Sequence, residues 1–176
     1  MPIVCPRGNY CPEGAAEPFA CQGGRYGGAR GLATAACSGV CERGSFCAVG
    51  ASAPLPCKKG TYSDRTDLSS AVNCTLTDPG FYAPTGSTKQ TPCSPGTKQP
   101  MPKKGQCDPC DAGTFHEAEG QQTCKTCPQG FYCLEGASAA LPCEGGTFSN
   151  QTGAQSSDDC TGCPAGAFCF AGSTTA

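Results

Sequence analysis

Residues 41–74 read CERGSFCAVGASAPLPCKKGTYSDRTDLSSAVNC, with cysteines at 41, 47, 57 and 74. The same ruler fits Cys5, Cys11, Cys21 and Cys37 before it, and Cys127, Cys133, Cys143 and Cys160 after it. Cys163 and Cys169 begin another round. In every complete unit the second and third cysteines follow the first at the same two distances, and unit starts at 5, 41, 77, 127 and 163 keep one period with a single interruption. Self-similarity at a fixed period is the mark of a repeat architecture. A finer repeat lies within it. Each unit divides into a short and a long half-unit, both opening Cys-x-x-Gly-x-aromatic, as in CPRGNY (5–10), CQGGRY (21–26), CPQGFY (127–132) and CPAGAF (163–168). Glycine keeps its place in all ten openings; the aromatic fails only at Lys98. A glycine just after a cystine fits a tight turn that needs positive φ. The aromatic two residues on is expected to cover the disulfide or the junction with the next module.

The composition agrees with this reading and excludes others. Eighteen of 176 residues are Cys, and Cys, Gly and Pro together make a third of the chain. Leu, Ile, Val and Phe number only 19, and Trp is absent. So little aliphatic surface cannot offset the entropy of ordering the backbone, which excludes a doubly wound enzyme fold, a helix bundle or a TIM barrel. Cystines must replace the core. A loop of about 15 residues closed by one is worth about 3 kcal/mol in the chain-entropy account. The expected fold is a set of small disulfide-rich repeats: an elongated rod of modules with short two-stranded hairpins and almost no helix. Twelve basic and fourteen acidic side chains form no basic stripe for nucleic acid. No stretch approaches the apolar length of a membrane span. Residues 1–4 carry no apolar leader, and the next cysteine of the period falls past Ala176, so we expect a piece of a longer secreted protein.

The units partition the chain as a lead-in at 1–4 and repeats at 5–40 and 41–76. A degenerate third repeat (77–109) and a lone half-repeat (110–126) follow, then a fourth repeat at 127–162 and the start of a fifth at 163–176. Four cysteines per unit permit three connectivities. The third repeat has Thr77 and Ala83 where its first two cysteines belong, while Cys93 and Cys107 remain; the lone half-repeat has only Cys110 and Cys124. Sequential pairing strands no thiol: Cys5–Cys11, Cys21–Cys37, Cys41–Cys47, Cys57–Cys74, Cys93–Cys107, Cys110–Cys124, Cys127–Cys133, Cys143–Cys160 and Cys163–Cys169. Interleaved pairing remains open if the damaged units switch connectivity.

Other chemistry is thinner. Cys107-x2-Cys110 and Cys124-x2-Cys127 have the spacing of a four-cysteine zinc site. Both pairs are seams between repeat units, however, and zinc would need reduced thiols in a chain of secretory composition. His116, the single histidine, is expected to be a solvent-exposed loop residue. Glu117, Glu119, Asp158 and Asp159 lie on loop tips without the ligand spacing of a calcium loop. No nucleophile elbow or phosphate loop occurs. We therefore expect no enzyme, no cofactor and no resident metal. Asn73-Cys74-Thr75 and Asn150-Gln151-Thr152 are N-glycosylation acceptors, and Thr85–Pro95 suits O-glycans.

On CKKGTYS (57–63) and CEGGTFS (143–149), each running on to a closing Cys, the chain resembles the EGF-like cysteine-rich repeats called ephrin-receptor-like. The long half-unit also resembles the first module of tumour-necrosis-factor-receptor cysteine-rich domains. That likeness implies a bond between the two cysteines flanking the Gly and the aromatic, in agreement with sequential pairing. Such repeats occur in receptor ectodomains, adhesion proteins and surface appendages. The expected function is a secreted or cell-surface, non-enzymatic structural element, a glycosylated disulfide-stapled rod that self-assembles into a surface filament, appendage or matrix. The alternative is a receptor-type or adhesion ectodomain with a protein ligand at 77–126, where Lys89, Lys98, Lys103, Lys104 and Lys125 gather. Zinc-bound cysteines are a second alternative.

Overall fold

The computed structural model describes residues 2–176. The described residues form nine two-stranded sheets and two single-turn 3₁₀ segments, Ala71–Asn73 and Ser157–Asp159. Each strand is two residues long. The sequence explains where they start. In the first opening, Asn9 N–H donates to Pro6 O at 3.3 Å and closes a turn in which Gly8 has φ of 79°. That is the third position of a type II turn, where only glycine is unstrained. The two residues after the glycine form the first strand, and the two residues before the next cysteine form the second. Thus Asn9 and Tyr10 face Ala20 and Phe19, Ser45 and Phe46 face Pro56 and Leu55, and Phe131 and Tyr132 face Pro142 and Leu141. Pro56, Pro109 and Pro142 are tolerated because a two-stranded ribbon is all edge. A hydroxyl after the glycine seals several turns: Ser45, Thr61, Thr97, Thr114 and Thr147 each donate to the carbonyl three residues back, at 2.6–2.8 Å.

Two compact units divide the chain. One comprises Met1–Thr77, Ala83–Thr91 and Lys103–Gly105; the other comprises Asp78–Tyr82, Pro92–Pro102 and Gln106–Ala176. The same backbone joint links successive half-units in both. The opening glycine donates to the residue that follows the next half-unit's aromatic, and its carbonyl accepts from the next half-unit's first cysteine. In the first unit Gly44 N–H reaches Ser63 O at 2.9 Å, and Cys57 N–H reaches Gly44 O at 2.9 Å. In the second, Gly96 N–H reaches His116 O and Cys110 N–H reaches Gly96 O, both at 2.8 Å. Two further bonds return from the next half-unit's loop: Asp67 N–H to Cys41 O at 3.0 Å with Cys47 N–H to Leu68 O at 2.8 Å, and Gly136 N–H to Cys110 O at 2.8 Å with His116 N–H to Ala137 O at 3.2 Å. Backbone donors and acceptors that a small core would leave stranded are thereby satisfied between neighbours.

The interior is cystine rather than aliphatic. Cys21, Cys41, Cys57, Cys93, Cys110, Cys127 and Cys143 are fully buried, each the first cysteine of its half-unit. In the first unit Phe46 packs on Cys57, Cys74 and Leu68. The aromatic there covers a cystine, as its place in the opening leads one to expect. Not all do so: Phe168 is 78% exposed and meets Phe170 edge-on at 5.3 Å. Lys98 stands in the aromatic's strand position in Thr97–Lys98, and its ammonium reaches the Asp111 carboxylate. A long stem with a charged end can substitute for a ring that needs to be only half covered.

Candidate functional site

The structure bonds the cysteines as Cys5–Cys11, Cys21–Cys37, Cys41–Cys47, Cys57–Cys74 and Cys93–Cys107. The remainder are Cys110–Cys124, Cys127–Cys133, Cys143–Cys160 and Cys163–Cys169. Cα separations of 5.7–6.2 Å in all nine lie within the span of a disulfide. Among the described residues no cysteine is free. The four cysteines with zinc-like spacing are divided among three disulfides, Cys93–Cys107, Cys110–Cys124 and Cys127–Cys133. Among the described residues no group of three or more His, Cys, Asp or Glu is placed to hold a metal ion.

Thr77 and Ala83 occupy the places of the missing cystine and are as buried as the cysteines they replace, at 1% and 0% exposure. Thr77 Oγ1 accepts from Lys104 N–H at 3.1 Å, and Thr77 O accepts from Lys103 N–H at 3.1 Å. A side chain of nearly the cysteine's size that brings a hydrogen bond keeps this joint closed without sulfur.

His116 corrects the expectation of a solvent-exposed loop residue: it is buried, and its Nδ1 accepts from Ala118 N–H at 3.1 Å. It stands directly after the aromatic Phe115. Ser63, Gln99 and Ser149 hold the same place in other long half-units and are also buried. Ser63 Oγ accepts from Arg65 N–H at 3.1 Å, and Gln99 Oε1 accepts from Met101 N–H at 3.2 Å. The position takes a small or polar residue, and at Ser63, Gln99 and His116 the side chain caps the amide two residues on. The signal was present in the sequence as a column of Gly27, Ser63, Gln99, His116 and Ser149, free of large apolar residues.

Three carboxylates are engaged locally. Asp159 accepts from the backbone N–H groups of Gln155 at 2.6 Å and Ser156 at 3.1 Å, and these bonds hold its carboxyl below the usual carboxylate range. The Ser156 hydroxyl accepts from Asp158 N–H at 3.3 Å. The hollow of about 290 Å³ beside this cap is lined by 149–155, Asp159 and Thr161. Glu117 pairs with Lys125 and Asp111 with Lys98, and each acid is lowered first by the hydrogen bond from its lysine. Two of the five lysines singled out near 77–126 are therefore already partnered. Lys89 and Lys103 are exposed. The glycosylation acceptors Asn73 and Asn150 are both exposed, Asn73 at the end of a 3₁₀ turn and Asn150 with its carbonyl accepting from Gln129 Nε2 at 2.7 Å.

Residues 96–140 match the family described as tyrosine-protein kinase ephrin type A/B receptor-like. The chain carries ephrin-receptor-like cysteine-rich repeats. The matched stretch runs from Gly96 through the half-unit of Cys110–Cys124 to Ala140, beyond Cys133, and so includes the interruption of the period. The motifs at 57–63 and 143–149, which carried the resemblance in the sequence, lie outside it. No curated protein matches the chain. Ephrin-receptor-like repeats are extracellular-type modules that bind or build rather than catalyse. No helix among the described residues is long and apolar enough to cross a membrane.

Proposed function

We propose that this chain is a non-enzymatic extracellular structural element: a disulfide-stapled array of ephrin-receptor-like repeats, secreted or displayed at the cell surface, that forms part of a filament, appendage or matrix. The observation that carries the reading is the recurring backbone joint. Its bonds use main-chain atoms, a glycine and a buried cystine, and they leave side chains free to vary without disturbing the series. Stability in such a series is local, each half-unit resting on its neighbours. A contact between unlike faces of such units can propagate into an open filament. The repeat boundaries at 5, 41, 77, 127 and 163, the nine-cystine framework and N-glycans on Asn73 and Asn150 belong to the same proposal. Electron microscopy of the native source material, with and without reductant, tests it. Ordered fibres that come apart on reduction are expected; isolated short particles overturn the filament.

A second reading has a specific support. The match over 96–140 is to a receptor-like family, which favours a receptor-type or adhesion ectodomain with a protein ligand. A soluble monomer that binds one partner saturably supports this reading, whereas concentration-dependent polymerisation supports the first.

A further inference from the structure

The geometry points to an anion-binding surface on the first compact unit, built from Lys58, Lys59, Lys103 and Lys104, and we propose that it takes a sulfated polysaccharide. The two lysine pairs are more than 40 residues apart in sequence and meet because one half-unit packs on the second one after it. A Cβ on Gly60 would strike the Lys103 carbonyl and lie 3.0 Å from Lys104 N, and one on Gly105 would lie 2.8 Å from Lys59 Cβ and 3.2 Å from its Cδ. The Lys59 stem thus runs along the backbone that carries Lys103 and Lys104. Lys58, Lys59 and Lys103 are exposed and Lys104 half-buried. The ion pairs found among the described residues use Lys98 and Lys125, and none of these four.

Backbone geometry marks the same spot independently. Lys103 adopts φ of 62° at the loop position where its counterparts include Gly50, Gly86, Gly120 and Gly136, at 71–78°. Each of these donates to the carbonyl of a half-unit's first residue, as Lys103 does to Thr77 O. Asp67 is another non-glycine there, at 65°, but Asp tolerates the left-handed region far better than Lys does. A lysine kept in glycine's conformation beside three other lysines is an outlier that calls for a functional reason. Four lysines and no arginine suit it to spaced sulfates met as point charges rather than to bidentate recognition of carboxylates. The inference rests on the extracellular placement proposed above, where such polymers occur, but its assay uses the purified chain alone. Failure to bind leaves the structural reading intact, and absence of filaments leaves this one intact.

The test is binding of the whole chain to heparin across a salt series, with desulfated heparin and polyglutamate as competing probes. Four engaged lysines predict a log–log salt slope of about −3. Lys103→Gly should lower that slope by about one while preserving exchange protection at the Gly60 and Ala83 amides, because it supplies the residue the backbone prefers. Adding Lys58→Gln and Lys59→Gln should reduce affinity at least about tenfold at low salt, and Lys125→Gln should leave it unchanged. No binding to heparin, equal binding to desulfated heparin or polyglutamate, or an equal loss in Lys125→Gln overturns the proposal.

Discussion

Replacing Gly96 and Gly146 by alanine separates two costs that sequence alone cannot distinguish. Both glycines open long half-units and have positive φ, 80° and 90°. An alanine there costs about 1–2 kcal/mol for its left-handed backbone alone. At Gly96 the new Cβ would also strike the Gly136 carbonyl oxygen, with Gly136 C at 3.1 Å and Ala137 C at 3.2 Å. These are backbone atoms held by Gly136 N–H to Cys110 O at 2.8 Å and cannot rotate away. Overpacking of that kind adds about 1–3 kcal/mol. At Gly146 a Cβ meets nothing within 4 Å. The extra cost at Gly96, taken as about 2 kcal/mol, is a factor of roughly 30 in local opening. Amide hydrogen exchange reads it directly: in Gly96→Ala the Cys110, His116 and Gly136 amides should lose about that much more protection than the Gly146 and Cys163 amides lose in Gly146→Ala. Equal losses in the two variants would refute the idea that packing on the second half-unit onward holds the joints together.

Four further outcomes follow from the same geometry. Thr77→Cys with Ala83→Cys should form a tenth disulfide, read as the loss of two hydrogens by mass. Closing its short loop adds about 2 kcal/mol in the chain-entropy account, from which the lost Thr77–Lys104 bond subtracts about 1 kcal/mol; a melting temperature that falls would contradict this. His116→Ser should be tolerated, since Ser63 already caps an amide from the equivalent place, whereas His116→Ala should cost about 1–2 kcal/mol by leaving the Ala118 N–H unpaired, seen as faster exchange at that amide. Asp159 has a lowered folded pKa, so its contribution is present above the ordinary carboxylate range and is lost as pH falls through the lowered value; protection at Gln155 and Ser156 should fall with acid in the native chain and be flat with pH in Asp159→Asn. Non-reducing peptide mapping should recover Cys41 joined to Cys47 and Cys57 joined to Cys74; a Cys41–Cys57 peptide would exclude the sequential framework.

Much of the fold can be read in the residues because the physics is local or compositional. A chain with 19 large aliphatic and phenylalanine side chains among 176 residues has little besides cystine to bury, and cystine makes up most of its interior. The Cys-x-x-Gly-x-aromatic opening places each hairpin because a type II turn needs glycine at one position, and the strands at Asn9–Tyr10 and Ser45–Phe46 begin on the next residue. The buried place of His116 was harder to see, since it depends on which half-unit's carbonyls surround it, although the small and polar residues sharing its column hinted at it. Contacts between half-units were out of reach for a different reason. A glycine tells that no Cβ fits, but not that the obstruction at Gly60 is the carbonyl of Lys103. The joint is made of main-chain hydrogen bonds, which every residue type but proline can form on both sides, so beyond its glycine it leaves no mark in the side chains. Composition and spacing therefore determined the cystine interior and the hairpins. Only the tertiary structure decided that Lys59 lies against Gly105, because backbone pairing brings those distant residues together.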